Sequence, residues 1–210
     1  MSLKRHSTDY QHRLVVFGCL LFESRAVRVL VLRVHQSCRE ERMTVEAQVR
    51  SFFVRDDGEV SNHPDLPVIV YEGVFADHPA GIEAAFNRHQ WTGSWTGGVY
   101  DYHHYHSNSH EVLGVQSGSA TVLIGGDAGE RLTLATGDVI VLPAGTAHML
   151  LEASPDFAVV GAYPVGITPN LRKRNPTDRA QAISEIRSVP VPSMDPVYGE
   201  EGPLLHKWVK

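Results

Sequence analysis

Two histidines separated by one residue, His104 and His106, are the side chains in this sequence best suited to bind a metal ion. Alternate residues of a β-strand share a face, so two such imidazoles lie about 6–7 Å apart and can reach one divalent ion. A third histidine and a carboxylate would complete a site for a first-row transition metal. An isolated His-x-His pair also occurs among solvated or hydrogen-bonded histidines, so its sequence context decides the interpretation.

The pair lies within a longer pattern of fixed spacing. Gly98, five residues, His104-Tyr105-His106, four residues, Glu111, six residues and Gly118 form its first part. Gly137, five residues, Pro143-Ala144-Gly145, two residues and His148 form its second part. Together these segments resemble the two sequence motifs of the cupin family, with one departure: Glu152 stands where the second motif has asparagine.

More narrowly, the chain resembles the YjlB-like single-domain cupins. The resemblance is carried by five segments, which are 100–107 (YDYHHYHS), 110–115 (HEVLGV), 137–148 (GDVIVLPAGTAH), 153–163 (ASPDFAVVGAY) and 195–199 (DPVYG). It implies an all-β jelly-roll barrel (double-stranded β-helix) with a few short flanking helices and a metal site inside its mouth. The implied ligands are His104, His106, Glu111 and His148. They would hold one divalent ion of Fe, Mn, Ni, Co or Zn and leave two adjacent coordination positions open.

The assignment of Glu111 depends on how the strand alternates. Simple alternation along the strand would place His110 on the same face as His104 and His106. The intervening Ser-Asn-Ser sequence is a turn-like break, however, and interrupts this alternation. In the following strand Glu111 shares a face with Leu113 and Val115, the more apolar face, which predicts that Glu111 points into the barrel. His110 is then predicted at the rim or outside, as a substitute or supporting ligand. His110 and Tyr102 are the candidate catalytic residues for proton transfer.

The surrounding elements predict how these residues are positioned. A strand at Leu66–Tyr71, a helix at Pro79–His89 and a loop at Thr92–Gly98 precede the motif. Seven short strands separated by Gly-rich turns follow, and this spacing is typical of a β-sandwich or barrel. They are predicted at Val99–His106, Glu111–Gln116, Ala120–Ile124, Arg131–Ala135, Val139–Leu142, Ala147–Leu151 and Phe157–Tyr163. A helix at Pro176–Arg187 and an extended, Pro-rich tail at Val189–Lys210 end the chain. Tyr163 and the other strand aromatics are predicted to be core residues.

The charge and cysteine distributions separate the first 42 residues from the rest. The chain has 210 residues and a net charge of −5, which disfavours binding to nucleic acid or to an anionic membrane. Both cysteines, Cys19 and Cys38, lie in the basic segment 1–42, so the main domain has no disulfide framework or Cys-based site.

We interpret 1–42 as an upstream extension before Met43; the alternatives are an added strand or helix, or a targeting signal. The rest divides into 43–98 with leading strands and helix, barrel core 99–165, and tail 166–210.

These features predict a cytoplasmic, metal-dependent enzyme that acts on a small polar molecule, of the oxygenase or isomerase/lyase type. Two alternatives remain open at this point: a non-catalytic protein that binds metal or a small ligand, and a barrel kept for assembly with a vestigial site. Cupin barrels pair through exposed edge strands, so the resemblance also implies a homodimer.

Overall fold

The structure, a computed structural model, describes residues 48–56 and 58–209. Eleven strands and three α-helices are found in this part of the chain, and a 3₁₀ turn at Pro79–Gly81 leads into the first helix. The strands are β1 (Gln48–Phe52), β2 (Val68–Glu72), β3 (Trp91–Gly97), β4 (His104–Tyr105), β5 (Glu111–Ser117), β6 (Ser119–Ile124), β7 (Glu130–Ala135), β8 (Val139–Leu142), β9 (His148–Ala153), β10 (Ala158–Pro164) and β11 (Arg172–Lys173). The helices are α1 (Ile82–Arg88), α2 (Arg179–Ser188) and α3 (Pro203–Lys207). The segment predicted as an N-terminal extension, 1–42, lies outside the described residues.

The strands form two antiparallel sheets that face each other. The six-stranded sheet has the order β1-β2-β8-β5-β10-β3, and the five-stranded sheet has the order β11-β4-β9-β6-β7. One apolar cluster contains side chains from both sheets, including Leu113 and Val115 of β5 and Val122 and Ile124 of β6. The predicted jelly-roll barrel is confirmed, and its interior lies between these two sheets.

The outer face of the six-stranded sheet is also buried, because α1 and the C-terminal segment cover it. Val112 and Val160 of the sheet pack in one cluster with Phe86 of α1 and with Trp208 after α3. A side chain at Gly114 would place its Cβ 2.6 Å from a methyl carbon of Ile82, so glycine in this strand allows α1 to approach the sheet. Burial on both faces explains why β2 and β8 are continuous apolar runs.

Two neighbouring elements at the start of the first motif differ from the sequence-based expectation. The predicted loop Thr92–Gly98 is mostly strand: Trp91–Gly97 pairs antiparallel with β10 at the edge of the six-stranded sheet. Its two glycines disfavour a strand, but the hydrogen bonds to β10 and the fully buried Trp91 outweigh them. The predicted strand Val99–His106 is shortened to His104–Tyr105, because the preceding residues form a loop at the mouth of the barrel.

The C-terminal segment packs against its own barrel. It contains the short helix α3 within the tail that was predicted to be extended, and Leu204 and Trp208 are buried in the outer cluster. Trp208 donates its indole N–H to the carbonyl oxygen of Pro67, 2.8 Å away, and so ties the end of the chain to the start of β2. Among the described residues, no helix has the length and apolar character needed to cross a bilayer.

Candidate metal centre

Strand pairing brings the four predicted ligands together at one end of the barrel interior. His104 lies in β4 directly opposite His148, the first residue of β9, and their ring centroids are 4.1 Å apart. His106 follows two residues after His104, and the ring centroids of these two are 6.1 Å apart. Glu111 is the first residue of β5 in the facing sheet. All four side chains are almost completely removed from solvent.

The carboxylate of Glu111 lies between two of the imidazoles. Its Oε1 is 3.5 Å from Nε2 of His106, and its Oε2 is 3.3 Å from Nε2 of His148. Two atoms bound at a right angle to one ion, each at about 2.1 Å, are about 3 Å apart. The carboxylate–imidazole separations are therefore close to those of ligands that share an ion.

Hydrogen bonds to the backbone orient all three imidazoles in the same way. In each ring Nδ1 contacts a carbonyl oxygen, which can only accept, so Nδ1 carries a proton and Nε2 has the lone pair whenever the ring is neutral. The three acceptors are the carbonyl oxygens of Tyr102, Asn170 and Thr146. This arrangement is typical of metal-binding histidines, whose second nitrogen donates to a carbonyl or a carboxylate.

The donor set fits a cation. Imidazole lone pairs and carboxylate oxygens face each other in a site shielded from water, and acceptors in such contact repel unless a proton or a cation lies between them. Oε2 of Glu111 is buried and makes no hydrogen bond within the described chain. In this same part of the chain, no group of three or more His, Cys, Asp or Glu side chains has the complete geometry of a preformed metal site. The ligand assignment therefore stays a prediction, supported by the chemistry of the donors.

The surroundings of the site shift the pKa values of its histidines and of Glu111 in different directions. Burial, reinforced by the neighbouring His148, lowers the pKa of His104 to about 3, so this ring is neutral at physiological pH. Burial alone would raise the pKa of Glu111, but its contacts with His106 and His148 outweigh burial and hold the pKa well below the usual range. Burial opposes protonation of His106 as well, yet the Glu111 carboxylate raises the pKa of His106 above its usual value.

A tyrosine completes the surroundings of the carboxylate. Tyr163 donates its hydroxyl proton to Oε1 of Glu111 at 3.0 Å, and its own oxygen accepts the indole N–H of Trp95 at 3.0 Å. Burial and the negative charge of Glu111 raise the pKa of Tyr163, so it remains a proton donor. Tyr163 was predicted to be a core residue, and this role was missed. The available signal was a hydroxyl-bearing side chain on the interior face at the end of a strand.

A second set of residues, which the sequence did not reveal, fixes the orientation of the His106 ring. Asn170, in the loop before β11, accepts the Nδ1 proton of His106 with its carbonyl oxygen, and its side chain bonds to both the N–H and the hydroxyl of Ser107. Arg172 donates to the same hydroxyl and forms an ion pair with Glu185 of α2 at 2.9 Å. Helix α2 therefore fixes the loop that orients a predicted ligand.

The four side chains form the floor of a cavity of about 350 Å³ that opens to solvent. Its walls come from β3, β5, β10, the loop before β4 and the loop before β11. The lining residues other than the four predicted ligands are Trp95, Gly98, Val99, Tyr100, Leu113, Tyr163, Pro169, Asn170 and Leu171. The size and the polar floor are typical of a site for a small molecule.

The two predicted catalytic residues lie elsewhere. His110 is fully buried outside the cavity: its Nδ1 accepts the N–H of Ala144, its Nε2 donates to the carbonyl of Pro190, and its ring packs on Trp208. Tyr102 contributes its carbonyl to the orientation of His104, while its ring stacks on Tyr100 at 4.9 Å. Neither side chain lines the cavity, although the ring of Tyr102 lies 5.9 Å from that of His104, centroid to centroid, so their catalytic role stays a prediction.

The sequence and the structure match known proteins. Residues 93–160 match the family described as a cupin domain. A curated relative is the uncharacterized protein YjlB of Bacillus subtilis (strain 168), which is 41% identical over 167 residues, covering 79% of this chain and 100% of the relative.

Two solved structures are also similar to this chain. An acireductone dioxygenase from Bacillus anthracis, with a cadmium ion in its active centre, is 21% identical with a TM-score of 0.30. The match covers 46% of this chain and 64% of the dioxygenase, which is less than two thirds of its length. The dTDP-6-deoxy-D-glucose-3,5-epimerase RmlC from Legionella pneumophila is 13% identical with a TM-score of 0.33, covering 58% of this chain and 74% of that chain.

Proposed function

Because this chain belongs to the cupin family, together with YjlB of Bacillus subtilis, we propose that it is a metal-dependent enzyme acting on a small polar molecule. One divalent transition-metal ion is held by His104, His106, Glu111 and His148. The reaction is of the oxygenase or the isomerase/lyase type. The observation that carries the proposal is the common orientation of three imidazoles, each with its Nδ1 proton on a backbone carbonyl and its Nε2 lone pair available beside a buried carboxylate.

The residues around the site have separate tasks in this proposal. A bound divalent ion supplies Lewis-acid polarisation and, where it is redox-active, one-electron chemistry. Tyr163 donates to Oε1 of Glu111, so Oε2 is the oxygen that would be left to bind an ion. Its hydroxyl also holds a proton at the cavity wall. Asn170 keeps the ring of His106 in place, and the apolar walls exclude water from the bound molecule.

Turnover with a defined metal tests the enzymatic proposal. The full-length chain is loaded separately with Fe(II), Mn(II), Ni(II), Co(II) or Zn(II) and incubated with diols, keto acids and thiols. Oxygen uptake and product formation are then measured, with His106→Ala as the control. Metal-dependent turnover that is lost in the variant supports the proposal. Tight reversible ligand binding without turnover for any metal would contradict it.

One observation favours the alternative of a non-catalytic binding protein. Besides the four predicted ligands, the titratable side chains that line the cavity are two tyrosines, Tyr100 and Tyr163, within the described residues. A carboxylate or histidine free to move protons is not among them. In this second candidate the same ion captures a small ligand without changing it, and the turnover measurements distinguish the two.

Removing the Tyr163 hydroxyl is expected to weaken metal binding. In Tyr163→Phe, Oε1 of Glu111 loses its hydrogen bond, and removal of such a supporting partner lowers metal affinity by about 10- to 100-fold. Competition with a fluorescent chelator measures the affinity. Tyr100→Phe is the control, because it removes a hydroxyl from the exposed rim of the same cavity. Equal affinities for the two variants would contradict the role of Tyr163.

Metal uptake is expected to release a proton near neutral pH. The raised pKa of His106 favours its protonated form in the metal-free protein, and the metal must displace that proton. The apparent metal affinity therefore increases from pH 6 to pH 8, and titration calorimetry in buffers of different ionisation enthalpy detects the released proton. An affinity independent of pH in this range would show that His106 does not ligate the ion.

We also propose that the protein is a homodimer paired through its sheet edges. β1 and β3 are the outer strands of the six-stranded sheet, and such edges present unpaired backbone groups. The C-terminal segment packs on its own barrel and leaves these edges uncovered, so we expect light scattering of the full-length chain to give a dimeric mass. A monomeric mass for the full-length chain would contradict the proposal.

A further inference from the structure

The walls of the cavity above the predicted metal site are apolar and uncharged. They include the side chains of Trp95, Val99, Leu113 and Pro169. No lysine or arginine lines the cavity among the described residues, and Glu111 is the only acidic side chain that does. An anionic group bound against these walls would lose its hydration without gaining a cationic partner.

The rim of the cavity is apolar as well. Tyr100 and Leu171 both line the cavity and are 51% and 48% exposed, which is high for large apolar side chains. Exposed apolar surface around a concave site is typical of ligand-binding positions, because a bound apolar group removes it from water.

The cationic side chains that follow Leu171 are engaged outside the cavity. Arg172 is bonded to Glu185 and to the hydroxyl of Ser107. The ammonium group of Lys173 lies 3.9 Å from the centre of the Tyr102 ring. Neither cation is directed at a ligand in the cavity.

We propose that the natural ligand has an uncharged apolar body, of about the size of one ring, and a single polar end directed at the metal. This inference rests on the proposed metal function. The cavity volume of about 350 Å³ lies at the small end of ligand sites and matches a body of that size. Molecules with a second anionic group, such as a carboxylate or a phosphate far from the metal-binding end, are excluded by the uncharged walls.

The chain provides a steric probe of the wall at Gly161. A Cβ at this position would lie 2.3 Å from the indole ring of Trp95, so the absence of a side chain lets the indole pack flat on β10. Gly161→Ala is therefore expected to push the indole into the cavity and reduce the space for the apolar body.

Three hydroxamates with the same metal-binding end test the ligand class. The full-length protein loaded with Co(II) is titrated with acetohydroxamate, benzohydroxamate and 4-carboxybenzohydroxamate, and the Co(II) absorption reports binding. We expect benzohydroxamate to bind about tenfold or more tightly than acetohydroxamate, because its ring buries apolar area. The distal carboxylate is expected to abolish this gain. Equal or tighter binding of the carboxylated probe would overturn the inference.

Two variants locate the effect in this cavity. Leu171→Lys adds a cation at the exposed rim and is expected to improve binding of 4-carboxybenzohydroxamate about fivefold or more relative to benzohydroxamate. Leu151→Lys, on the outer side of β9 and outside the cavity, is the matched control and is expected to leave the ranking unchanged. Gly161→Ala is expected to weaken benzohydroxamate more than acetohydroxamate. If the relative affinities of the three hydroxamates in all three variants equal those in the wild type, the probes bind outside this cavity.

A titration of the metal-free protein tests the ligand class independently of the proposed metal function. Metal-depleted wild-type and Gly161→Ala proteins are titrated with benzyl alcohol and with 4-(hydroxymethyl)benzoate, which adds a distal carboxylate to the same ring, and Trp fluorescence is measured. A preference for the neutral ring that is lost in the variant supports the ligand class, whether or not the protein binds Co(II). Failure to bind Co(II) would refute the metal proposal alone. Stronger binding of 4-(hydroxymethyl)benzoate would overturn the ligand class even where the metal binds.

Discussion

Replacing His106 with alanine is expected to reduce the metal content of the purified protein from about one ion per chain to less than about one tenth. The loss of one neutral ligand from a four-ligand set weakens binding by more than the 10- to 100-fold typical of supporting residues. The variant leaves Glu111 without one of its two imidazole neighbours. Elemental analysis of protein purified without a histidine tag measures the change.

The neighbouring His103 provides the matched control. It lies next to His104 in the sequence, but its ring pairs with Asp127 at 3.1 Å outside the cavity. A partly exposed pair of this kind contributes little to stability. We expect His103→Ala to keep its full metal content and a melting temperature close to that of the wild type. Unchanged metal content in His106→Ala would show that the ion binds elsewhere.

Replacing Asp195 with alanine is expected to lower the free energy of unfolding by about 3–5 kcal/mol. The Asp195 carboxylate is completely buried and accepts four hydrogen bonds. The donors are the hydroxyl of Tyr71 at 2.5 Å and the backbone N–H groups of Val197, Tyr198 and Leu204 at 2.8–3.0 Å. Without the carboxylate these buried donors have no acceptor, so the segment that covers the outer face of the sheet loses these four hydrogen bonds.

Urea unfolding followed by Trp fluorescence measures this loss. Tyr71→Phe removes one of the four bonds and is expected to cost about 1–2 kcal/mol. Asp156→Ala is the control, because its carboxylate accepts the hydroxyl of Ser154 at an exposed turn, and we expect a change below about 0.5 kcal/mol. Equal stabilities of Asp195→Ala and Asp156→Ala would contradict the role of Asp195 in holding the C-terminal segment.

Much of the barrel was predictable from the sequence because strand patterns and turns are local. The strand Val139–Leu142 was predicted with its observed bounds, and the alternation of Glu111 and Leu113 correctly placed both at the interior. The edge strand Trp91–Gly97 was not predictable, since it depends on pairing with β10 and on the fit of Trp95 over Gly161.

The candidate site was likewise predictable from the sequence only in part. The four polar side chains were indicated by the spacing of the first motif and by the position of His148 in the second, because residue type and strand parity are properties of short segments. Their approach required the β4–β9 pairing across more than forty residues. Tyr163 and Asn170 act through contacts between segments far apart in sequence, and the burial of His110 beneath Trp208 depends on the folded tail. Such contacts are set by the packing of the whole chain, which no local pattern of residues encodes.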